Sequence, residues 1–230
     1  MSVADAKGRR FDGITGLAFA VLALVSFLLP GPPPKADESA ERVVTYFTQH
    51  RSDILAGDFL LMISSLLFLW FLGALRSYLR AAEGGEGRLS AAAFGGGVVG
   101  IGLLVGGVGV LNGIAFKVAQ AGDQLLVRGL YDVSNGVLTG AGFGFAVLLA
   151  AASCSAARSR AFAPWVYWSG SVIAVLQVIG GIALFAKSGF FAVGGAFSFI
   201  APLTALVWVA AVSVVLFQRV GLPPTPRAQP

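Results

Sequence analysis

The stretch 95–113 restricts this chain more than any other, because it is apolar throughout and unusually rich in glycine. In water, glycine disfavours a helix, since it loses more conformational entropy on ordering than any other residue. In a lipid bilayer an unpaired peptide group costs several kcal/mol, so a segment of this length must satisfy its backbone hydrogen bonds internally. The stretch therefore predicts a transmembrane helix.

The glycines of this predicted helix fall on two faces when residues are placed at about 100° intervals. The main stripe contains Gly95, Gly102, Gly106, Gly109 and Gly113. A second stripe, on a different side, contains Gly96, Gly100 and Gly107. Small residues allow helix backbones to approach closely in membranes, so the two stripes predict two close helix neighbours and a central position in a bundle.

Composition extends this conclusion to the whole chain. Hydrophobic residues make up 57% and charged residues only 12% of the 230 residues, whereas soluble proteins carry about 25% charged residues. Apolar windows of roughly 20 residues recur along the chain. The expected fold class is all-α, a single polytopic bundle of six transmembrane spans. The spans are expected at about 13–29, 54–78, 89–116, 133–152, 164–185 and 194–217, followed by a flexible tail at 218–230.

The first of these spans follows Lys7, Arg9 and Arg10, a pattern that also describes a secretory signal peptide. A signal peptide ends in a small-x-small cleavage site. Here a proline-rich segment, 30–34, follows instead. We therefore interpret the segment as a transmembrane helix that the prolines terminate.

The connection between the first two spans is the longest polar one, and from Asp37 it has a helical pattern with Val43, Val44 and Phe47 on one face. We expect a short amphipathic helix, capped by Asp37 and lying on the outer membrane surface. Tyr46 and Phe47 are expected near the lipid headgroups. The alternative is a solvated helix that merely links the two spans.

Charge distribution predicts the orientation. The 16 Lys and Arg residues divide ten to six between alternate connections, and the richer side includes both termini. The positive-inside rule then places both termini in the cytoplasm. The formal charge of +5 does not indicate nucleic-acid binding, because the basic residues are scattered among the spans with no run interleaved with aromatics.

Residues suited to catalysis or metal binding are scarce. His50 is the only histidine and Cys154 the only cysteine, so neither a zinc site of the usual kind nor an internal disulfide is expected. A surface or capping role is favoured for His50, and a small buried filler for Cys154. We expect no cofactor, no metal and no enzymatic activity.

Polar residues that enter the spans gather near the predicted outer ends, and Asp58, Asn112, Lys117, Asp132 and Asn135 form the candidate outer polar cluster. Lys117 continues the main glycine stripe, and Asp132 continues the face of the next span that carries Gly136, Gly140 and Gly144. If these two faces pack, Lys117 and Asp132 meet. The pair either closes the bundle as a structural ion pair or contributes to a vestibule for a small ligand.

Gln177 is the polar residue nearest a predicted membrane midplane, on a face of small residues. An interhelical hydrogen bond is favoured over contact with a substrate. Because the middle of each span is otherwise almost wholly apolar, an ion-coupled pump is disfavoured.

Two functions remain open from the sequence. The first is a non-enzymatic, sensor-like accessory subunit that binds lipids, other membrane proteins or a second copy of the chain. The alternative is a small permease or channel whose mouth is the outer polar cluster. A membrane enzyme ranks third, because it needs a polar pocket with converging donors.

The segments 70–76, 79–84, 88–90 and 94–97 resemble a group of small uncharacterised six-span membrane proteins common in actinobacteria. The resemblance covers most of the chain, and the 12 Arg against 4 Lys fit the coding bias of such organisms. It implies a fold and a class of organism, but it assigns no activity and no site.

Overall fold

The computed structural model describes residues 3–160 and 162–218, with side chains from residue 13 onward. These residues form seven α-helices and two short 3₁₀ turns, Val118–Ala121 and Gly181–Leu184. The helices are α1 (Val3–Leu28), α2 (Ala40–Gln49), α3 (Arg51–Glu83), α4 (Arg88–Phe116), α5 (Gln124–Ser159), α6 (Pro164–Gly180) and α7 (Phe197–Gln218). The tail predicted beyond Gln218, and the side chains of Lys7, Arg9 and Arg10, lie outside the described residues.

Among the described residues, five helices are long and apolar enough to cross a bilayer: α3, α4 with its 3₁₀ turn, α5, α6 with its 3₁₀ turn, and α7. The apolar part of α1, Gly13–Leu28, is shorter. The chain is therefore an all-helical, multi-pass integral membrane protein, as the apolar windows indicate. The bounds differ most at α5, which begins at Gln124 rather than near Val133.

The early start of α5 has a local cause. The Asp123 side chain accepts a hydrogen bond from the Leu126 amide at 3.0 Å and caps the helix, which satisfies one of the otherwise unpaired first-turn donors. The first turns of α5 carry Arg128 and Asp132, and these two charges led the sequence pattern to assign the turns to the connection. The cap of α2 also differs from the prediction, since Ser39 rather than Asp37 accepts from the Arg42 amide.

The six long helices form a closed ring in the order α1, α3, α4, α5, α6, α7, with α7 packing against α1. The most extensive contact joins α4 to α5, and α4 also packs against α3. One end of the ring carries α2 together with the connections 117–123 and 185–196, and we name it the α2 end. The other, the arginine end, exposes Arg76, Arg80, Arg88, Arg158 and Arg160.

The second glycine stripe of α4 forms the contact with α5. An added Cβ at Gly96 would lie 2.7 Å from the Leu148 nitrogen, and one at Gly144 would lie 2.4 Å from the Gly100 nitrogen. Backbones this close leave no room for any side chain at either position. Gly107 fits against Leu138 in the same interface.

The main stripe faces outward, so its predicted packing role is wrong within one copy of the chain. Gly95, Gly102, Gly106, Gly109 and Gly113 are exposed, and an added Cβ at any of them meets no atom within 4 Å. On α5, Gly136 likewise meets nothing and Gly140 only an ordinary contact at 3.7 Å, so of that predicted stripe only Gly144 packs tightly.

The aromatic residues of helix α2 pack against protein and are not open to lipid headgroups as predicted. Val43, Phe47 and Tyr46 are 0%, 2% and 8% exposed. They form a second core with Ile54, Ile114 and Val127 of the neighbouring helices. The apolar face of α2 is thus covered by residues of α3, α4 and α5.

Candidate binding cleft at the α2 end

Arg128, in the second turn of α5, ties this helix to the connection between α1 and α2. Its Nε donates to both carboxylate oxygens of Asp132, each at 3.0 Å. Its two terminal nitrogens donate to the backbone carbonyls of Glu38 and Ala36. A planar guanidinium suits such simultaneous recognition of several acceptors. Arg128 is therefore fully engaged in holding the structure together.

Two further hydrogen bonds hold the connections at the α2 end against α5 and against each other, and we call this set of bonds, with those of Arg128, the frame. The Tyr131 hydroxyl donates to the Pro34 carbonyl at 2.6 Å, and Tyr131 is only 2% exposed. The Ala36 amide donates to the Val193 carbonyl at 3.0 Å, which joins the first connection to the one between α6 and α7. Three separate parts of the chain are thus fixed against one another.

A cleft of about 530 Å³ opens between these parts, a volume in the range of small-molecule sites. Its polar lining comprises Asp37, Arg128, Asp132, Asn135, Thr139 and Lys187. Gly136, Ala183 and Leu184 supply apolar lining. Of the predicted outer polar cluster, the structure brings only Asp132 and Asn135 into this cleft.

The charged side chains of the cleft differ in what they contact. Arg128 and Asp132 neutralise each other. Lys187 and Asp37 are exposed, and neither takes part in an ion pair within the described part of the chain. The cleft therefore presents one cation and one anion that are available to a ligand.

The predicted ion pair between Lys117 and Asp132 is wrong. Lys117 is the exposed C-cap residue of α4, and its amide donates to the Gly113 carbonyl at 3.3 Å. Asp132 instead pairs with Arg128, four residues earlier on the same helix. The pairing was predicted from the main glycine stripe, and that stripe points away from α5.

Asp58, which is buried, and Asn112, which is half-buried, form a separate pair. Asp58 is 8% exposed, and the Asn112 side chain lies within hydrogen-bonding reach of its carboxyl group. One Asp58 oxygen, Oδ2, is buried and has no hydrogen-bond partner in the described part of the chain. Neither residue lines the cleft. The five residues of the predicted cluster are thus divided among the cleft, this pair and an exposed helix end.

Tyr46 of α2 closes the bundle beside Asp58. Its hydroxyl donates to the Pro30 carbonyl at 3.2 Å, and burial raises the pKa of this hydroxyl well above its ordinary value. His50 stacks near Tyr46, and its backbone amide donates to the Tyr46 carbonyl at 3.0 Å where α2 ends and α3 begins. His50 therefore has the capping role that the sequence favours.

Gln177 makes the predicted kind of interhelical bond. Its Nε2 donates to the Ala201 carbonyl at 2.8 Å, which links α6 to α7. A second link between the same helices, from Trp208 Nε1 to the Val166 carbonyl at 3.0 Å, was not expected. Nothing in the spacing of a lone tryptophan indicates which carbonyl it reaches.

Three residues that line the cleft, Arg128, Lys187 and Asp37, were not part of the predicted outer polar cluster. The spacing of Arg128 and Asp132, i and i+4, is a helix-pair signal that favours their mutual contact once α5 is extended to Gln124. Asp37 and Lys187 are 150 positions apart in sequence, and no local pattern joins them.

The described residues contain no group of three or more His, Cys, Asp or Glu side chains that could hold a metal ion. No family model matches the chain, and no curated protein or solved structure is significantly similar to it. The resemblance to six-span actinobacterial proteins stays a prediction from the sequence.

Proposed function

We propose that this protein is a non-enzymatic, sensor-like accessory subunit of the bacterial cell membrane that binds lipids or other membrane proteins, with the cleft at the α2 end as its binding site. The observation that carries the proposal is the fixed frame of the cleft. Arg128 and Tyr131 bond three backbone carbonyls of one connection. A site that is formed before its ligand arrives loses little entropy on binding.

The surroundings of the cleft suit an amphipathic ligand. The cleft lies where apolar helices give way to polar connections, which is the depth of lipid headgroups in a bilayer. Leu184 on its wall and the neighbouring Phe185 are 53% and 85% exposed. A ligand with a polar end in the cleft would therefore find apolar surface beside it for its acyl part.

The proposal is tested by filling the cleft. Gly136 lines the cleft, and a Cβ there meets no atom within 4 Å, so Gly136→Leu places a side chain in the cleft without a clash. Gly106→Leu adds the same group to open space on α4 and serves as the matched control. Native mass spectrometry of protein extracted in mild detergent should show bound lipid or partner for the wild type and for Gly106→Leu, and loss of it for Gly136→Leu. If the wild type and both variants carried the same bound lipid or partner, the proposal would be contradicted.

The proposed arrangement in the membrane has six spans and cytoplasmic termini. In support, α1 packs along α3 and α7 as a member of the ring. Five exposed arginines of the described residues lie at the end that also holds the start of α1, whereas Arg42 is exposed at the α2 end. This charge distribution follows the positive-inside rule.

Orientation is tested by cysteine labelling in a Cys154→Ser background. Gln120→Cys at the α2 end should react with a membrane-impermeant maleimide on intact cells stripped of their wall. Glu86→Cys at the arginine end should react only after the membrane is permeabilised. The reverse pattern would place the termini outside.

A small permease is the second candidate, and one observation favours it. Asp132, Asn135 and Thr139 occupy successive turns of α5 along the cleft wall, and a Cβ at Gly142 would lie 3.4 Å from Gln177 Oε1. Polar groups thus continue from the cleft toward the interior. Reconstituted protein should then accelerate uptake of radiolabelled small solutes, and Gly136→Leu should abolish the acceleration while Gly106→Leu should not. Uptake equal to that of protein-free vesicles would remove this candidate.

A further inference from the structure

We infer that the cleft at the α2 end binds a zwitterion of the phosphoethanolamine class, whose primary ammonium contacts the Asp37 carboxylate and whose oxyanion contacts Lys187. This inference rests on the proposed binding function and specifies its ligand. It concerns the shared headgroup chemistry, which a phosphatidylethanolamine lipid and a free phosphoethanolamine molecule both carry.

The charges that line the cleft fit a zwitterionic ligand better than a purely anionic or a purely cationic one. Arg128 donates to Asp132 and to two backbone carbonyls, so its guanidinium is already engaged and is not left for a ligand. The remaining charged groups are the Lys187 ammonium and the Asp37 carboxylate. An anion would be attracted by Lys187 but repelled by Asp37. A cation would be attracted by Asp37 but repelled by Lys187. A zwitterion pairs with both.

The two available charges come from different connections of the chain. Asp37 belongs to the segment before α2, and Lys187 to the segment between α6 and α7. These segments are joined by the hydrogen bond from the Ala36 amide to the Val193 carbonyl. Because Asp37 is next to Ala36 in the chain, this bond keeps the anionic wall in place relative to the connection that carries Lys187.

The acceptors of the cleft favour a primary ammonium over a quaternary one. The Asp37 carboxylate can accept hydrogen bonds from an –NH₃⁺ group. The Asn135 side chain, whose Nδ2 donates to the Tyr131 carbonyl, has an amide oxygen that is a further acceptor on the cleft wall. Quaternary ammonium groups are instead recognised by open aromatic faces. The aromatic residue lining this cleft, Tyr131, is 2% exposed and bonded to Pro34.

The experiment uses the full chain in lipid nanodiscs and three diacyl probes: phosphatidylethanolamine, phosphatidylcholine and phosphatidylglycerol. Native mass spectrometry measures which lipid remains bound after collisions have removed the loosely bound lipids that surround the protein. The wild type should retain phosphatidylethanolamine about tenfold better than either competitor, since only this headgroup makes charge-assisted hydrogen bonds at both ends. Equal retention of the three lipids would overturn the zwitterion assignment.

Variants separate the two contacts. Lys187→Gln and Asp37→Asn should each lower the preference about tenfold, and the double charge exchange Lys187→Asp with Asp37→Lys should restore part of it. Lys117→Gln, an exposed lysine at the same end but outside the cleft, should leave the preference unchanged. Loss with Lys187→Gln but not with Asp37→Asn would show an anion site and overturn the inference.

Soluble phosphoethanolamine distinguishes the two sources of the headgroup. Competition by the soluble compound, together with sensitivity to both variants, supports a free ligand of this class, and retention of the lipid without such competition supports the lipid. If no lipid and no soluble compound binds and Gly136→Leu changes nothing, the proposed function itself fails. If another lipid binds in a manner that Gly136→Leu abolishes, the function stands and the zwitterion assignment fails.

Discussion

The two glycine stripes of α4 have the same composition but opposite surroundings. An added Cβ at Gly96, Gly100 or Gly107 would lie 2.7–2.9 Å from atoms of α5, whereas the glycines of the stripe from Gly95 to Gly113 are exposed. The difference lies in the neighbour. Helix α5 presents Gly144 opposite Gly96 and Gly100, so two backbones can approach there. Glycine therefore permits close approach, and a matching small residue on the partner decides where the approach occurs.

The largest effect is expected at Gly144. In Gly144→Ala the new Cβ would lie 2.4 Å from the Gly100 nitrogen and 2.6 Å from its Cα, and backbone atoms in a central helix pair cannot move aside cheaply. We expect a loss of about 3 kcal/mol in the free energy of unfolding, near the upper end for overpacking. Steric-trap or denaturant unfolding in detergent measures it. A stable Gly144→Ala protein would show that α4 and α5 are farther apart.

A smaller effect is expected at Gly107, on the same stripe. There an added Cβ would meet the Leu138 side chain at 2.7 Å, and a leucine can change its rotamer. We expect Gly107→Ala to cost about 1 kcal/mol, since strain is partly relieved by repacking. The double variant Gly107→Ala with Leu138→Ala should recover part of this loss. No recovery would mean that the backbone, rather than Leu138, limits the approach.

Alanine substitutions in the outward-facing stripe should stabilise the protein instead of destabilising it. Gly102→Ala and Gly106→Ala meet no atom within 4 Å, and alanine is the better helix former. Each should stabilise the protein by about 0.5 kcal/mol through the backbone-entropy term alone. Thermal unfolding of the monomer in detergent measures the change. Destabilisation that depends on protein concentration would instead indicate that a second copy packs on this face.

Gly140 of α5 should show the smallest effect. Its added Cβ would contact Leu103 at 3.7 Å, an ordinary van der Waals distance. Gly140→Ala should therefore change the free energy of unfolding by less than about 0.5 kcal/mol, as at most sites without strain. Gly140 and Gly144 are one turn apart on α5, so a difference between their alanine variants reflects the local distance to α4 and not a general effect of alanine in this helix. Comparable losses at both would contradict the observed geometry.

The candidate site was predictable only in part. The polar character of the α2 end was visible in Asp132 and Asn135, because charged residues at the ends of apolar spans stand out. The partner of Asp132 was predicted incorrectly, since Lys117 was placed by the stripe that turned out to face outward. Asp37 and Lys187 share a cleft through the hydrogen bond between Ala36 and Val193, a contact between distant segments that leaves no periodic signal in the sequence.

The sequence by itself determined that this protein is helical and embedded in a membrane. Apolar windows of sufficient length, in which every peptide group must be paired internally, allow little else. The tertiary structure decided which glycines pack, where α2 docks and which charges meet. These outcomes depend on the complementary shape of a neighbouring helix and on contacts across long sequence separations. The glycine-rich stretch accordingly specified a helix capable of close approach, and Gly144 of α5 selected the face that is used.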